Sequence, residues 1–295
     1  MRIAIVTTSW PADEDDPSGH FVRTEARELE RAGNEVSVIA PESGRAFGWP
    51  GVWARLREKP TRVADAARWI ASARARIRRL EADRVVAHWA VPCAWPIAMA
   101  NRGPELHVVS HGGDVRLLAA MPRAARRRIA LAVACRARIW RFVAPGLRDD
   151  LLGVLERDAR DAVEAIADVR EASIELPDVR DAAQERRQTI GSGPIAVSVG
   201  RLVPSKRVDR AIEHVARTRE ARVLVIVGDG PERGHLERLA RESGVDARFV
   251  GRVARVEALA WIGAADFVIH ASEAEGRSTV LREAQALGTR VRFIQ

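Results

Sequence analysis

The stretches "RIAIVTTSW" (Arg2–Trp10), "FVRTEARELERAG" (Phe21–Gly33) and "EVSVIAP" (Glu35–Pro41) decide the fold class. The first and third are short apolar runs that end in small or polar residues, which predicts buried strands. Between them, apolar residues recur at helical spacing and Gly33 closes the pattern. A strand, a helix and a second strand in this order predict a parallel sheet in an α/β protein.

The same alternation continues through the first half of the chain. Strands are predicted in "RVVAHWAVP" (Arg84–Pro92) and "HVVSHGGD" (His107–Asp114), and a helix is predicted from Val63 to Leu80. Residues 171–194 are polar, carry Pro and Gly, and end in Gly-Ser-Gly-Pro, which is typical of an interdomain linker. We therefore predict an N-terminal domain over residues 1–170 and a C-terminal domain over residues 195–295.

The C-terminal domain shows the alternation most clearly. Its predicted strands are "IAVSVG", "RVLVIVG", "ARFVG", "FVIHA" and "RVRFI", with a helix in each of the four intervals. The whole chain is therefore predicted to form two Rossmann-like, doubly wound parallel-sheet domains that face a cleft. Ligands of such folds bind at the carboxyl ends of the strands.

Composition narrows the class of protein. The 295 residues include 47% hydrophobic and 30% charged residues, which suits two folded domains rather than disorder. The net charge of +8 comes almost wholly from arginine, because Lys59 and Lys206 are the only lysines, and it favours anionic partners. Cys93 and Cys135 have no disulfide or zinc-ligand spacing, so both are predicted to lie in the core. The sequence contains no long uninterrupted apolar run, and we expect a cytoplasmic protein.

A basic loop, "VGRLVPSKRVD" (Val199–Asp209), directly follows the first strand of the C-terminal domain. Arg201 and Lys206 are therefore predicted to emerge at the carboxyl end of that strand. A guanidinium and an ammonium in this position suit a pyrophosphate, because charge-assisted hydrogen bonds neutralise its charge. Two solvated loop cations are the alternative interpretation.

Two glutamates, Glu275 and Glu283, lie in "EGRSTVLREAQALG" across a glycine turn and a predicted helix that begins near Ser278 or Thr279. Eight residues at this geometry separate the carboxylates by roughly 10 to 12 Å. A glycosidase pair stands about 5 to 9.5 Å apart, so shared acid–base chemistry is disfavoured. Carboxylates on either side of a helix N-terminus, which attracts anions, suit a ligand with hydroxyls at both ends and phosphates between them. Chance helix-surface glutamates are the alternative.

These motifs together resemble the family 4 glycosyltransferases, which are retaining enzymes of the GT-B fold that use nucleotide-activated sugars. The matching segments are "TTSWP…SGHFVRTEARELERAGNEVSVIAP", "HGGDV", "VGRLVPSKRVD", "VIVGDGPER" and "EGRSTVLREAQALG". The resemblance covers nearly the whole chain. Its most specific part is the combination of the E-x7-E stretch with the G-R-x4-K loop.

The resemblance implies a role for each matching residue. Donor-sugar hydroxyls would bind Glu275, the ribose would bind Glu283, and the diphosphate would bind Arg201 and Lys206 with help from backbone amides around Gly276, Ser278, Thr279 and Val280. In the N-terminal domain, Gly19 would approach the donor phosphate and His111 would face the reacting sugar. Asp114 would lie nearby, on the possible acceptor side, and a structural histidine at a strand end is the alternative for His111. His88 also ends a strand that is predicted to face the cleft, and acceptor contact and plain packing are its two interpretations. The implied reaction moves a hexose from a nucleotide diphosphate sugar to a glycan or lipid-linked acceptor without a cofactor or metal.

The sequence also departs from the family pattern. The family continues beyond the second glutamate with another strand, a loop and a final helix, whereas this sequence ends at "GTRVRFIQ". We therefore expect a shortened, incomplete second domain whose last sheet edge exposes apolar surface. Arg277 also stands where the family prefers a hydrophobic residue. One alternative is thus a relative that binds a nucleotide or nucleotide sugar without turnover, and another is a GT-B nucleotide-sugar epimerase.

Two further patterns have competing interpretations. "GDGPERG" (Gly228–Gly234) is similar to a dinucleotide fingerprint, but its third glycine comes one place late, and the turn of the glycosyltransferase family explains it better. Arginine-rich helical stretches such as "RAARRRIALAVACR" could contact an anionic membrane peripherally at its inner face, although a solvated surface is the favoured interpretation. No nucleic-acid-binding motif accompanies the charge, so no nucleic acid partner is expected.

Overall fold

The structure is a computed structural model that describes residues 1–11, 16, 19–41, 58–100, 102–271 and 279–294. It divides into two compact units. The first contains the N-terminal strand and Ser18–Ser173, and the second contains Ile174–Gln295. Each unit has its own parallel sheet and its own hydrophobic core.

The sheet of the first unit has six parallel strands in the order β2-β1-β3-β4-β5-β6. The strands are β1 Arg2–Val6, β2 Glu35–Ile39, β3 Arg84–His88, β4 Glu105–Ser110, β5 Ala137–Phe142 and β6 Ala167–Val169. The helices are α1 His20–Arg31, α2 Val63–Arg79, α3 Trp95–Ala98, α4 Gly113–Ala120, α5 Arg123–Arg136, α6 Pro145–Val154 and α7 Arg157–Glu164. A 3₁₀ turn, Pro60–Arg62, precedes α2, and a π-helical turn, Ala90–Ala94, follows β3.

The topology of this sheet fixes where its functional loops can lie. The strands β1, β3 and β4 are neighbours, and the chain order reverses direction between β1 and β3. The loops that follow these strands therefore share one edge of the sheet, at the position where open α/β sheets bind ligands. The apolar residues of β1 are buried on both faces, which explains its continuous apolar sequence.

The second unit has five parallel strands in the order β11-β10-β7-β8-β9. The strands are β7 Ile195–Val199, β8 Val223–Val227, β9 Ala247–Gly251, β10 Phe267–His270 and β11 Arg290–Phe293. The helices are α8 Arg180–Ile190, α9 Val208–Thr218, α10 Arg233–Glu242, α11 Arg255–Ala264 and α12 Thr279–Ala286, and Pro204–Lys206 forms a 3₁₀ turn. The alternation read from the sequence is confirmed, and the direction reverses between β7 and β10.

Two Rossmann-like α/β units confirm the predicted fold class. Part of the segment that the sequence assigned to a linker is a regular helix, α8, which packs against α11 in the second unit. Its polar composition is compatible with this position because only Ala183 and Ile190 are buried along it. The few apolar residues are enough to attach one helix face.

The two cysteines differ in environment. Cys93 is buried, as predicted, but Cys135 is exposed, so its predicted core position is wrong. Helix α5 buries the stripe Ile129, Ala130, Val133 and Ala134. The next residue along the helix turns away from that stripe by about 100° because an α-helix has 3.6 residues per turn.

Strand β11 lies at one end of the second sheet, and in the described part of the chain it pairs only with β10. Its Phe293 is 67% exposed. Arg290 and Arg292 precede it in the strand, and Val291 and Ile294 are only partly exposed, so the apolar surface at this edge is mainly the Phe293 ring. Over the residues described, no helix has the length and apolar character required to span a bilayer.

Candidate functional site

The basic loop lies at the carboxyl end of β7, where the sequence placed it. Arg201 is exposed two residues beyond the end of the strand, and Lys206 ends the 3₁₀ turn and is partly buried. The Lys206 Nζ lies 3.9 Å from the point where a Cβ on Gly200 would stand, so this side chain folds back over the start of the loop. Arg207, the next residue, is paired with Asp209 at 3.0 Å.

The Gly-Asp-Gly turn after β8 holds this loop in place. The Gly200 amide donates to the Val227 carbonyl at 2.9 Å, and the Leu202 amide donates to the Asp229 carbonyl at 2.9 Å. The two backbones are so close that a Cβ on Gly228 would stand 1.9 Å from the Gly200 oxygen, and one on Gly230 would stand 2.3 Å from the Leu202 oxygen. Close packing of the two backbones therefore explains why glycine stands at both positions, and no dinucleotide is needed to explain them.

The structure describes only part of the E-x7-E stretch. Glu275, Gly276 and Ser278 lie outside the described residues, whereas Thr279 and Val280 form the first turn of α12. Because β10 pairs with β7, the segment that enters α12 follows the strand beside the one that carries the basic loop. The free amides of a helix N-terminus and the two cations thus come from adjacent strands at one edge of the sheet.

Glu283 lies in the second turn of α12 and is 5% exposed. Arg255 at the start of α11 donates from Nη2 to the Glu283 Oε1 at 3.0 Å, and also to the Glu175 carbonyl at 2.8 Å. Burial raises the pKa of Glu283, and the Arg255 charge opposes that shift. Sequence reasoning missed Arg255, because nothing in the local pattern marks one arginine among many as the partner of a carboxylate 28 residues away.

In the first unit, Gly19 immediately precedes α1 and adopts a left-handed backbone with φ of 70°. A Cβ at this position would stand 2.3 Å from the Ser9 carbonyl oxygen. This close approach between the two ends of the loop after β1 is a packing reason for glycine. The approach of Gly19 to a donor phosphate stays a prediction.

His111 follows β4 and is surrounded by aromatic rings. The Phe21 ring centroid lies 4.6 Å from it and the Trp89 centroid lies 5.0 Å from it. His88, the last residue of β3, has its ring nearly parallel to that of His111 with centroids 5.2 Å apart, and its Nδ1 lies 2.9 Å from the His111 Nε2. The two histidines therefore form one hydrogen-bonded pair, which the sequence did not reveal because 23 residues separate them.

Both histidines are neutral at physiological pH. Burial, and after it the Arg141 charge, lowers the pKa of His88 to about 3. Burial also lowers the pKa of His111 well below its usual value, and His88 adds to the shift. A neutral imidazole has one N–H and one lone pair, so each ring can act as donor and acceptor at once.

Asp114 is 1% exposed and connects three segments of the first unit. Its Oδ2 accepts from the Ala90 amide at 2.7 Å and from the Ser110 hydroxyl at 2.6 Å, and its Oδ1 accepts from the Gly112 amide at 3.3 Å. The Ser110 oxygen in turn accepts from the Trp140 indole at 2.9 Å. Burial raises the pKa of Asp114, while the Ser110 and Ala90 bonds oppose the shift.

The structure thus divides the candidate residues between two sheet edges. Gly19, His88, His111 and Asp114 lie at the carboxyl edge of the first sheet, and Arg201, Lys206, Thr279, Val280 and Glu283 lie at or near that of the second. His88 is fully buried and Asp114 nearly so. Their acceptor-side roles stay predictions, and both now have a structural role in shaping the loop that presents His111.

Comparison with known proteins agrees with this layout. Residues 179–291 match the family described as "Glycosyl transferases group 1". The chain is 24% identical, over 325 aligned positions, to the putative teichuronic acid biosynthesis glycosyltransferase TuaC of Bacillus subtilis, an alignment that covers 97% of this chain and 79% of TuaC.

Solved structures match over nearly the full chain. Sucrose-phosphate synthase from Thermosynechococcus elongatus superposes with a TM-score of 0.72 at 18% identity, over 99% of this chain and 80% of that one. Anabaena Alr3699/HepE in complex with UDP-glucose gives 0.70 at 17% identity, with the same coverage. Tandem Rossmann-like units with this likeness define the GT-B fold. The chain therefore has the GT-B fold, and its residues 179–291 are similar to the group 1 glycosyltransferases.

Proposed function

We propose that this protein is a glycosyltransferase that moves a hexose from a nucleotide diphosphate sugar to a glycan or lipid-linked acceptor and retains the anomeric configuration, as family 4 enzymes do. One observation supports this proposal above the others. The Gly200–Lys206 loop and the segment entering α12 follow the neighbouring strands β7 and β10, between which the sheet topology reverses. This is the position at which doubly wound sheets bind nucleotides.

The same arrangement suggests how the leaving group would be stabilised. Breaking the bond between the sugar and the diphosphate leaves negative charge on the phosphate oxygens. Arg201, Lys206 and the free amides of the first turn of α12 would meet that charge as it develops. These groups supply positive charge from the protein itself, so we propose that turnover needs no metal.

The donor ends would be held by carboxylates. In this proposal Glu283 accepts hydrogen bonds from the ribose and Glu275 accepts them from the sugar, and His111 contacts the reacting sugar. Anabaena HepE has been solved with UDP-glucose, which is consistent with a hexose donor. TuaC is named for teichuronic acid biosynthesis, which is consistent with a glycan acceptor.

The test begins with the nucleotide. A thermal-shift screen against uridine, guanosine and adenosine diphosphates identifies the base, because a ligand that binds only the folded state raises its apparent stability. The matching sugar donors, radiolabelled in the sugar, are then incubated with glycan and lipid-linked acceptors. Released diphosphate, labelled product and its anomeric configuration are measured, with and without a chelator.

Each outcome separates the proposed function from its rivals. Labelled product of retained configuration, insensitive to chelator, is the expected result. Binding without release of diphosphate would point instead to a nucleotide-sugar-binding relative without turnover. An epimerised donor formed in the absence of any acceptor would point to an epimerase, and an inverted product would overturn retention.

A further inference from the structure

A line of three polar side chains, Arg141, Glu25 and His88, runs behind the His111 ring in the first unit. Arg141 on β5 donates from Nη2 to the Glu25 Oε1 at 2.9 Å. The other oxygen of Glu25, which lies on α1, stands 3.8 Å from the His88 Nε2, and His88 Nδ1 lies 2.9 Å from the His111 Nε2. Sequence reasoning gave Glu25 and Arg141 no role.

This line is shielded from water over most of its length. Arg141 and Glu25 have side chains only 10% and 13% exposed, and His88 is fully buried. Among the described residues, the His88 Nε2 has no hydrogen-bond partner, and the Glu25 carboxylate stands 3.8 Å from it. The Arg141 charge also acts on this ring and lowers its pKa, but the Arg141 Nη2 donates to that same carboxylate. At low effective dielectric such a charge acts strongly on the ring even beyond hydrogen-bond distance.

The charge decides where the proton of His88 lies. A bare nitrogen lone pair turned toward a carboxylate is repelled by it, whereas an N–H dipole is attracted. His88 therefore has its proton on Nε2, which leaves Nδ1 as an acceptor. The only hydrogen on His111 that can satisfy this acceptor at 2.9 Å is one on Nε2, so the tautomer of the second ring follows from that of the first.

We propose that Glu25 and His88 are positioning residues that keep the proton of His111 on Nε2, so that its Nδ1 offers a lone pair to a hydroxyl of the donor sugar. The two aromatic rings and the carboxylate around His111 do not compete for this assignment. Phe21 and Trp89 contact His111 through their rings, and Asp114 is occupied by Ser110 and two backbone amides. Only the final contact, with the sugar, rests on the proposed function.

The tautomers can be measured without any ligand. The full-length chain is labelled with 15N, and long-range 1H–15N correlations of the imidazole rings are recorded at pH 7. We expect both His88 and His111 to show the proton on Nε2. Glu25→Gln, which removes the charge and keeps the shape, is expected to give a mixture of tautomers at both rings. Glu30→Gln, at an exposed position on the same helix, serves as the matched control and keeps the wild-type pattern.

Turnover supplies the second measurement. The side-chain oxygen of Asn can accept the His111 proton as Nδ1 does, so His88→Asn is expected to keep the wild-type kcat within a small factor. His88→Leu removes the acceptor and is expected to lower kcat about tenfold, the equivalent of one hydrogen bond, with the affinity for nucleoside diphosphate unchanged. Equal rates in the two variants would overturn the proposal.

The results also separate this inference from the function on which its last step rests. A wild-type His111 with its proton on Nδ1 overturns the positioning role, whatever the enzyme transfers, and decides the matter even where a variant fails to fold. The expected tautomers in a chain that transfers no sugar would leave the proton assignment standing and refute the proposed function instead.

Discussion

Arg255 and Glu283 form an ion pair at 3.0 Å in the second unit, with side chains only 13% and 7% exposed. The pair joins the start of α11 to the second turn of α12. Removing one partner of a buried pair leaves the other charge without compensation. Arg255 therefore decides whether Glu283 is ionised and oriented, which a carboxylate that binds ribose hydroxyls requires.

We expect Arg255→Leu to lower the free energy of unfolding by about 3 kcal/mol at pH 7, because it leaves a buried carboxylate without its ion-pair partner. Burial already raises the pKa of Glu283, and removal of the arginine raises it further. The destabilisation of the variant should therefore become smaller as the pH falls and Glu283 becomes protonated. Urea unfolding at pH 7 and pH 5 measures this. Arg248→Leu, which breaks a surface contact with Asp246 at 3.9 Å, is the control and should cost less than about 1 kcal/mol. Equal losses in the two variants would contradict the assignment.

The neutral His88 should make the fold sensitive to acid. Its pKa in the folded state is about 3, whereas the unfolded value is about 6.5. The unfolded chain therefore binds the extra proton first, and stability that is complete above about pH 6.5 is lost as the pH falls toward 3. The loss through this group at pH 5 is about 2 kcal/mol.

His88→Asn removes this titration. We expect its stability to fall less between pH 8 and pH 5 than that of the wild type, with the difference close to the figure above. Thermal or urea unfolding across this range measures it. Parallel curves for the two proteins would show that His88 is protonated as easily in the folded chain as in the unfolded one.

Mutations should separate the residue that binds the diphosphate of the donor from the residue that binds its sugar. Lys206→Ala is expected to weaken binding of free nucleoside diphosphate by about ten- to a hundredfold, because it removes a charge-assisted contact of roughly 1.5 to 3 kcal/mol. Glu275→Ala should spare the free diphosphate and weaken the intact nucleotide sugar. Isothermal titration calorimetry with both ligands measures the split.

A matched control exists for the lysine, since Lys59 is the only other one in the chain and is exposed in the first unit. Lys59→Ala should leave the affinity for either ligand unchanged. If Lys206→Ala and Glu275→Ala lost the same affinity for the free diphosphate, the proposed division of roles would be wrong.

The glycine turn after β8 should matter both to stability and to binding. A Cβ on Gly228 would meet the Gly200 oxygen at 1.9 Å, so Gly228→Ala must push the basic loop away. We expect a loss of about 2 kcal/mol or more and weaker diphosphate binding. Gly234→Ala on α10, where nothing lies within 4 Å of the added carbon, should instead stabilise by about 0.5 to 1 kcal/mol. Chemical denaturation and calorimetry of both variants test this, and unchanged nucleotide affinity in Gly228→Ala would count against the support role.

The spacing of apolar residues in the sequence predicted most of the strands and helices. The strands of the second unit appear where short apolar runs placed them, because a buried parallel strand must be apolar on both faces. Helix α8 was missed because a helix attached by only two buried residues has no clear apolar stripe. The burial of Cys135 was predicted wrongly for a related reason, since residue type alone does not say which face of α5 the side chain occupies.

The sequence predicted less of the candidate site than of the fold. Motif spacing placed Arg201, Lys206 and His111 after the correct strands, because the carboxyl ends of parallel strands share an edge. It could not find Glu25 or Arg255. Each acts on a residue distant in sequence, and contacts of that kind depend on how helices pack rather than on local pattern.

The hydrogen bonds and closest approaches described between the Gly-Asp-Gly turn and the basic loop join backbone atoms. The Leu202 side chain also anchors the loop, because it is 1% exposed and packs in the core of the second unit. Arg201, Val203, Ser205 and Lys206 could be varied as a library, to alter charge or donor preference, while Leu202 and the two glycines beneath the loop keep the path of the chain.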